Sequence, residues 1–127
     1  GTLTAINLNN GKIIWQEPLG EYEGLKKEGF KKTGTENYGG VTSTRGNIAI
    51  ATGSLDKKIY IYNSLNGKVL WEYKMPFIGS APPTTYIANS KQFIVVHATG
   101  GKSLKIGYPK LVEFGNALVG FKLKDSK

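Results

Sequence analysis

The sequence predicts an all-β chain of antiparallel four-stranded blades, an arc of a β-propeller. Three observations carry that expectation. Residues 5–15 recur as residues 61–71, an offset of 56, with Asn7 aligned on Asn63, Asn10 on Asn66, Gly11 on Gly67, Lys12 on Lys68 and Trp15 on Trp71. Short runs of β-branched and aromatic residues alternate with turn residues, among them many of the 17 glycines. Helical periodicity is absent. Residues 22–32 have room for a turn of helix, but Gly24 and Gly29 argue against more.

The elements follow in sequence order. Residues 2–8 read as a strand, and Asn10-Gly11 predicts a type I′ hairpin turn, in which both central residues need positive φ. The backbone then returns through Lys12 to Trp15. Residues 58–63, Asn66-Gly67 and Lys68 to Trp71 repeat the unit. One large ring at the same place in each unit suits packing between units, so Trp15, Trp71, Gly11 and Gly67 are read as structural docking residues. Residues 41–44 and 47–52, joined by Thr44-Arg-Gly-Asn47, supply the two inner strands of a blade. Residues 83–87, 92–98 and 117–123 read as three strands of another, and Val119-Gly-Phe-Lys-Leu123 resembles the opening of a third hairpin. The sequence ends in Lys124-Asp-Ser-Lys127 before any Gly-x-x-x-Trp.

The expected organisation is therefore the outer half of a blade in 1–20 and a long connecting loop in 21–40. A complete blade in 41–75 and a final blade lacking its outer strand in 76–127 complete it. Because it begins at Gly1, inside a strand, the chain reads as an arc cut from a larger ring.

Composition limits the alternatives. With no cysteine, disulfides contribute nothing, and no apolar run reaches membrane-spanning length. The formal net charge is +8, yet Arg45 is the only arginine. The lysines are spread along turns and strand ends, with one cluster at Lys26-Lys27 and Lys31-Lys32. That distribution points to solvated lysines and away from nucleic acid, whose bases and phosphates are read chiefly by arginine.

The repeat Ala-x-Asn-x-x-x-Gly-Lys-x-x-Trp resembles the tryptophan-docking motif of the quinoprotein dehydrogenases, with Asn7 and Asn63 where that family usually has Asp. The Gly-rich stretch Thr33-Gly-Thr-Glu-Asn-Tyr-Gly-Gly40 resembles the membrane-associated glucose dehydrogenase branch. Ala81-Pro-Pro-Thr-Thr-Tyr86, Lys91-Gln-Phe-Ile-Val-Val96, Gly100-Gly101 and residues 115–123 resemble the final blade, while residues 104–113 fit worst. The resemblance implies an eight-bladed propeller around pyrroloquinoline quinone (PQQ). It also implies oxidation of a sugar or alcohol hydroxyl, with electrons passed on to a membrane quinone or a cytochrome. The resemblance further implies a calcium ion that polarises the quinone, an aspartate that acts as base, and a place in the periplasm with attachment to the inner membrane through upstream segments.

Within this stretch the candidates for cofactor contact are Asn37, Tyr38 and Gly39, in a loop where Gly34, Gly39 and Gly40 would let backbone approach a flat ligand. Glu36 is the carboxylate to watch there. Asp56, in Ser-Leu-Asp-Lys-Lys, reads as a solvated turn residue, and His97, after Phe-Ile-Val-Val, as a buried, hydrogen-bonded histidine. No metal ligand and no catalytic residue is assigned to this stretch. PQQ and calcium are expected of the full-length parent and neither of the fragment alone. The fragment is expected to be inactive and to self-associate through exposed strand edges. A second reading is a non-enzymatic propeller scaffold of the outer-membrane assembly type, in which residues 33–40 carry no cofactor.

Overall fold

The computed structural model describes residues 1–101, 106–110 and 112–123. Lys124 to Lys127 and part of the stretch 104–113 lie outside the described residues. Among the described residues there are nine strands and one short helix. The strands are β1 (Thr2–Ile6), β2 (Ile13–Pro18), β3 (Val41–Thr44), β4 (Ile48–Ala51), β5 (Lys58–Asn63), β6 (Val69–Lys74), β7 (Thr84–Ala88), β8 (Lys91–Ala98) and β9 (Ala117–Lys122). Helix α1 (Glu23–Lys27) falls between β2 and β3. All pairings are antiparallel, in sheets ordered β1-β2, β3-β4-β5-β6 and β7-β8-β9.

The period-two alternation of strands decides what lies between the sheets. Ala49, Ala51, Tyr60 and Tyr62 face one way and bury against Leu19 and Leu3 of the first hairpin. Ile50, Ile59 and Ile61 face the other way and bury against Val96, Ala98, Ile94 and Phe121 of the third sheet. The middle sheet is thus apolar on both faces, as a sheet packed between two others must be. His97 lies on β8 between buried Val96 and Ala98, so the same alternation turns it to the opposite face. It is exposed, which corrects the expectation of a buried histidine.

The two hairpins fold identically, though not with the expected type I′ turn. Gly11 and Gly67 have φ +69° and +72°, while neither Asn10 nor Asn66 has positive φ. Each turn is a longer loop closed by Gly11 N–H on Asn7 O (2.8 Å) and Gly67 N–H on Asn63 O (2.9 Å). Asparagine side chains brace it. Asn7 Oδ1 accepts from Asn9 N–H as Asn63 Oδ1 does from Leu65 N–H, both at 2.9 Å. Asn10 Oδ1 and Asn66 Oδ1 accept from the N–H of Lys12 and Lys68, both at 3.0 Å. Asx turns of this kind explain why asparagine recurs at these two positions.

Trp15 crosses from the first hairpin to the second sheet. Its indole N–H donates to Ser64 O at 2.8 Å, and its ring stacks on Tyr62 at 6.3 Å. A Cβ at Gly67 would stand 2.7 Å from that ring, so only glycine leaves room for it. Trp71, one unit on, also reaches the next sheet, but meets Phe121 edge-on at 5.3 Å.

As expected, residues 22–32 hold only the short α1, and Gly29 ends it. With φ +95°, it lets its own N–H reach Lys26 O (3.1 Å) and Phe30 N–H reach Leu25 O (3.0 Å). That is the Schellman closure, for which glycine is favoured.

Candidate functional site

Residues 33–40 lead into β3, and the loop's geometry begins with Asn37. Its backbone bridges to Ser54, its amide donates to Thr52 O at 2.7 Å, and its Oδ1 accepts from Gly39 N–H at 3.1 Å. The nitrogen end of the Asn37 amide thus holds the loop against the β4–β5 connection, and the oxygen end braces the loop internally. Thr35 is buried beside it, and its hydroxyl accepts from Leu55 N–H at 3.0 Å.

The glycines of this loop are crowded by protein. A Cβ at Gly39 would lie 2.2 Å from Thr52 O, and one at Gly40 would lie 2.5 Å from the Pro82 ring. A Cβ at Gly34 would likewise lie 2.5 Å from Gly1 O. Close backbone approach is required here, and the partner in each case is the protein itself. Tyr38 differs from its neighbours: it is 59% exposed, on a loop whose backbone is held on either side of it.

Near this loop stands a cluster whose members are too far apart in sequence to be grouped by pattern. The Tyr22 hydroxyl donates to the Glu36 carboxylate and lies 3.4 Å from the Tyr108 hydroxyl. Tyr22 and Tyr108 rest on a small core of Leu55, Ile78 and Val112, drawn from three different connections. The phenols hold the Glu36 carboxyl below its usual range, Tyr108 more than Tyr22. In return Glu36 pushes the Tyr22 phenol above its ordinary value, with Tyr108 and burial adding to the effect. Glu36 is thereby an anion that accepts hydrogen bonds and a weaker base than a free carboxylate.

Asp56 is the clearest departure from expectation. It is 5% exposed and accepts from Ser54 Oγ (2.7 Å), Lys58 N–H (3.2 Å), Glu21 N–H (3.0 Å) and the Tyr60 hydroxyl. A buried carboxylate needs such donors to offset the loss of water. Here they tie the strand-to-helix connection at Glu21 to the second sheet. Asp56 is a cross-link between elements and not a solvated turn residue.

A cleft of about 580 Å³ opens between the end of β2, the last turn of α1, and the β5–β6 hairpin. Of the lysines that line it, Lys26, Lys32 and Lys68, the first two are engaged by Glu21 and Glu17.

The sequence and the fold both resemble those of known proteins. The family model for the PQQ glucose/ethanol/alcohol dehydrogenase β-propeller domain matches residues 1–94, which include the first hairpin, the loop 33–40 and the whole second sheet. The quinoprotein glucose dehydrogenase of Gluconobacter oxydans (strain 621H) is 33% identical across the full sequence, which spans 16% of that relative's length. A europium-containing methanol dehydrogenase superposes with a TM-score of 0.70 over 96% of this protein and 23% of its own length, at 19% identity, a likeness of fold. The outer-membrane assembly factor BamB of Salmonella typhimurium (strain LT2) is 33% identical, but over 59% of this protein and 18% of its own length.

Proposed function

Since the chain belongs to the PQQ glucose/ethanol/alcohol dehydrogenase β-propeller family, we propose that it is the C-terminal part of a PQQ-dependent sugar or alcohol dehydrogenase. The observation that carries this reading is the extent of the family match, which takes in the loop 33–40 as well as the docking hairpins. A scaffold propeller of the BamB type accounts for the hairpins, but its likeness covers less of the sequence.

In this proposal residues 1–20 form the outer half of a blade and 41–75 a complete one. Residues 76–127 form a final blade without its outer strand, and the loop 21–40 joins the first half-blade to the complete one. The whole stretch is chiefly scaffold. The loop 33–40 contributes to the rim of the cofactor pocket, with Asn37 and Gly39 fixing its shape and Tyr38 offering an aromatic face or a phenol. Glu36, Tyr22 and Tyr108 brace that loop from the side. When bound, the quinone supplies the electron sink for oxidation of the substrate hydroxyl, and a membrane quinone or cytochrome then takes the electrons. We assign the calcium ligands and the catalytic base to blades upstream of this stretch.

The remaining expectations follow from the same reading. The partners are the upstream blades of the same protein, a sugar or alcohol substrate, and the electron acceptor. The location is periplasmic, with attachment to the inner membrane through upstream segments. No helix among the described residues is long and apolar enough to cross a membrane. Alone, the fragment is inactive and associates with itself.

The test uses the full-length protein, purified free of cofactor. PQQ and calcium are added and dye reduction is followed with glucose, ethanol and other simple alcohols. Activity that requires both additions supports the dehydrogenase, and the preferred substrate identifies its branch. No activity together with no quinone binding moves the reading to a scaffold.

A further inference from the structure

The two hairpins carry the same tripeptide, Asn10-Gly11-Lys12 and Asn66-Gly67-Lys68, with the same internal hydrogen bonds. They differ in what covers the glycine. Gly67 is buried, with the Trp15 ring 2.7 Å from where a Cβ would stand. Gly11 is exposed, and nothing comes within 4 Å of the equivalent point. Asn-Gly is the step most prone to internal cyclisation, because glycine has no Cβ to hinder its nitrogen from approaching the asparagine amide. We propose that Asn10 is a site of spontaneous deamidation and that docked Trp15 shields Asn66 from the same reaction.

The chemistry needs no co-reactant except water. The glycine amide nitrogen loses its proton and attacks Cγ of the asparagine. A new bond from that nitrogen to Cγ closes a five-membered succinimide, and the Cγ–Nδ2 bond breaks to release ammonia. Water then opens either imide bond, leaving aspartate or, where the α-side bond opens, isoaspartate. Water enters, ammonia leaves, and no electrons are transferred.

Reaching that geometry requires the turn to open. The glycine N–H must leave Asn7 O (2.8 Å) or Asn63 O (2.9 Å), and the asparagine Oδ1 must leave Lys12 N–H or Lys68 N–H, each at 3.0 Å. These four bonds match in the two hairpins, while Asn10 N–H adds a bond to Asn7 O (3.3 Å) in the first and Ser64 N–H ties the second to Asn47 O (2.9 Å). The indole is the unequal contact that bears on the glycine itself: it lies on Gly67 and is pinned to Ser64 O at 2.8 Å. The backbone rotation that brings the nitrogen onto Cγ is open at Gly11 and obstructed at Gly67. Resting on the proposed function, a tryptophan from a preceding blade seated on Gly11 would shield Asn10 in the same way. Conversion of Asn10 then marks a hairpin whose seat is empty.

The test is to incubate the 127-residue protein at mildly alkaline pH in heavy-oxygen water and map both peptides by mass spectrometry. In native buffer Asn66 converts about tenfold or more slowly than Asn10, because its reaction waits for a local opening. In concentrated urea the rates converge, since the tripeptides are identical. Trp15→Ala raises the Asn66 rate to that of Asn10. Trp15→Phe, which keeps a ring over Gly67, preserves the slow rate and excludes general unfolding as the cause. Equal native rates at the two sites overturn the proposal, as does slow conversion of Asn66 in Trp15→Ala. None of these readouts involves quinone, so the result stands apart from the dehydrogenase assay.

Discussion

The indole N–H of Trp15 donates to the carbonyl oxygen of Ser64 at 2.8 Å, binding the return strand of one hairpin to the turn of another 49 residues further on. The ring that makes this bond also lies on Gly67, so two copies of one motif meet through different members. The pair Gly11 and Gly67 separates the two demands on glycine. Both have φ near +70°, at +69° and +72°. Gly11→Ala should cost about 1 kcal/mol for the left-handed backbone alone. Gly67→Ala adds a methyl 2.7 Å from the Trp15 ring, and overpacking of that kind raises the loss to about 3 kcal/mol. Urea unfolding measures both, and equal losses would show that the ring does not depend on the glycine.

Asp56 makes a sharper claim on stability. Replacing it with alanine leaves Ser54 Oγ, Glu21 N–H, Lys58 N–H and the Tyr60 hydroxyl without their acceptor. A cost of about 3 kcal/mol or more is expected, because hydrogen bonds to a charged group are the stronger ones and their buried donors are then stranded. Ser54→Ala removes one donor and should cost only about 1 kcal/mol. A loss for Asp56→Ala no larger than that for Ser54→Ala would return Asp56 to the role of a turn residue.

The range of each interaction decides whether it is legible in the sequence. The repeat is legible because its turns are built locally: Asn63 meets Leu65, and Asn66 meets Lys68. Strands β3 and β5 fall where their β-branched and aromatic residues place them. The turn type is not legible, because Asn-Gly alone does not record that asparagine amides lengthen the loop. Nor is the burial of Asp56, since one of its donors, Glu21, lies 35 residues away. The apolar run before His97 suggests burial on both sides, but Val96 and Ala98 already claim the inner face. At the candidate site, the glycines make the loop containing Tyr38 visible. The bracing of Glu36 is hidden, since Tyr22 and Tyr108 come from positions 86 residues apart.

Alkaline pH should unfold the protein through its buried phenols. Burial, reinforced by the hydrogen bond to Asp56, raises the Tyr60 pKa, and burial with neighbouring carboxylates raises that of Tyr62. A raised folded pKa means that the native state keeps a proton that the unfolded state has lost. The associated stability is fully present below the ordinary phenol value of about 10. Above that value it falls by about 1.4 kcal/mol per pH unit for each such group. Tyrosinate absorbance should show Tyr60 and Tyr62 ionising only as circular dichroism reports unfolding. Ionisation of all seven tyrosines in one step, with the fold intact, would contradict this.

The loop 33–40 separates ligand contact from architecture, because its residues do different work. Asn37 holds Thr52 O and Gly39 N–H at once, so Asn37→Ala should cost about 2 kcal/mol of stability whatever the loop binds. Tyr38 is 59% exposed, so Tyr38→Ala should change stability by less than about 0.5 kcal/mol. If Tyr38 lies against the quinone, the same change should weaken PQQ binding by the full-length protein about tenfold, the scale of one aromatic contact. Tyr38→Phe then distinguishes the ring from the hydroxyl: retained affinity assigns the contact to the face, lost affinity to the phenol. Titration of the cofactor-free protein with PQQ measures all three variants. Unchanged affinity in Tyr38→Ala would leave the loop with its turn role alone, and residues 33–40 would no longer favour a dehydrogenase over a scaffold.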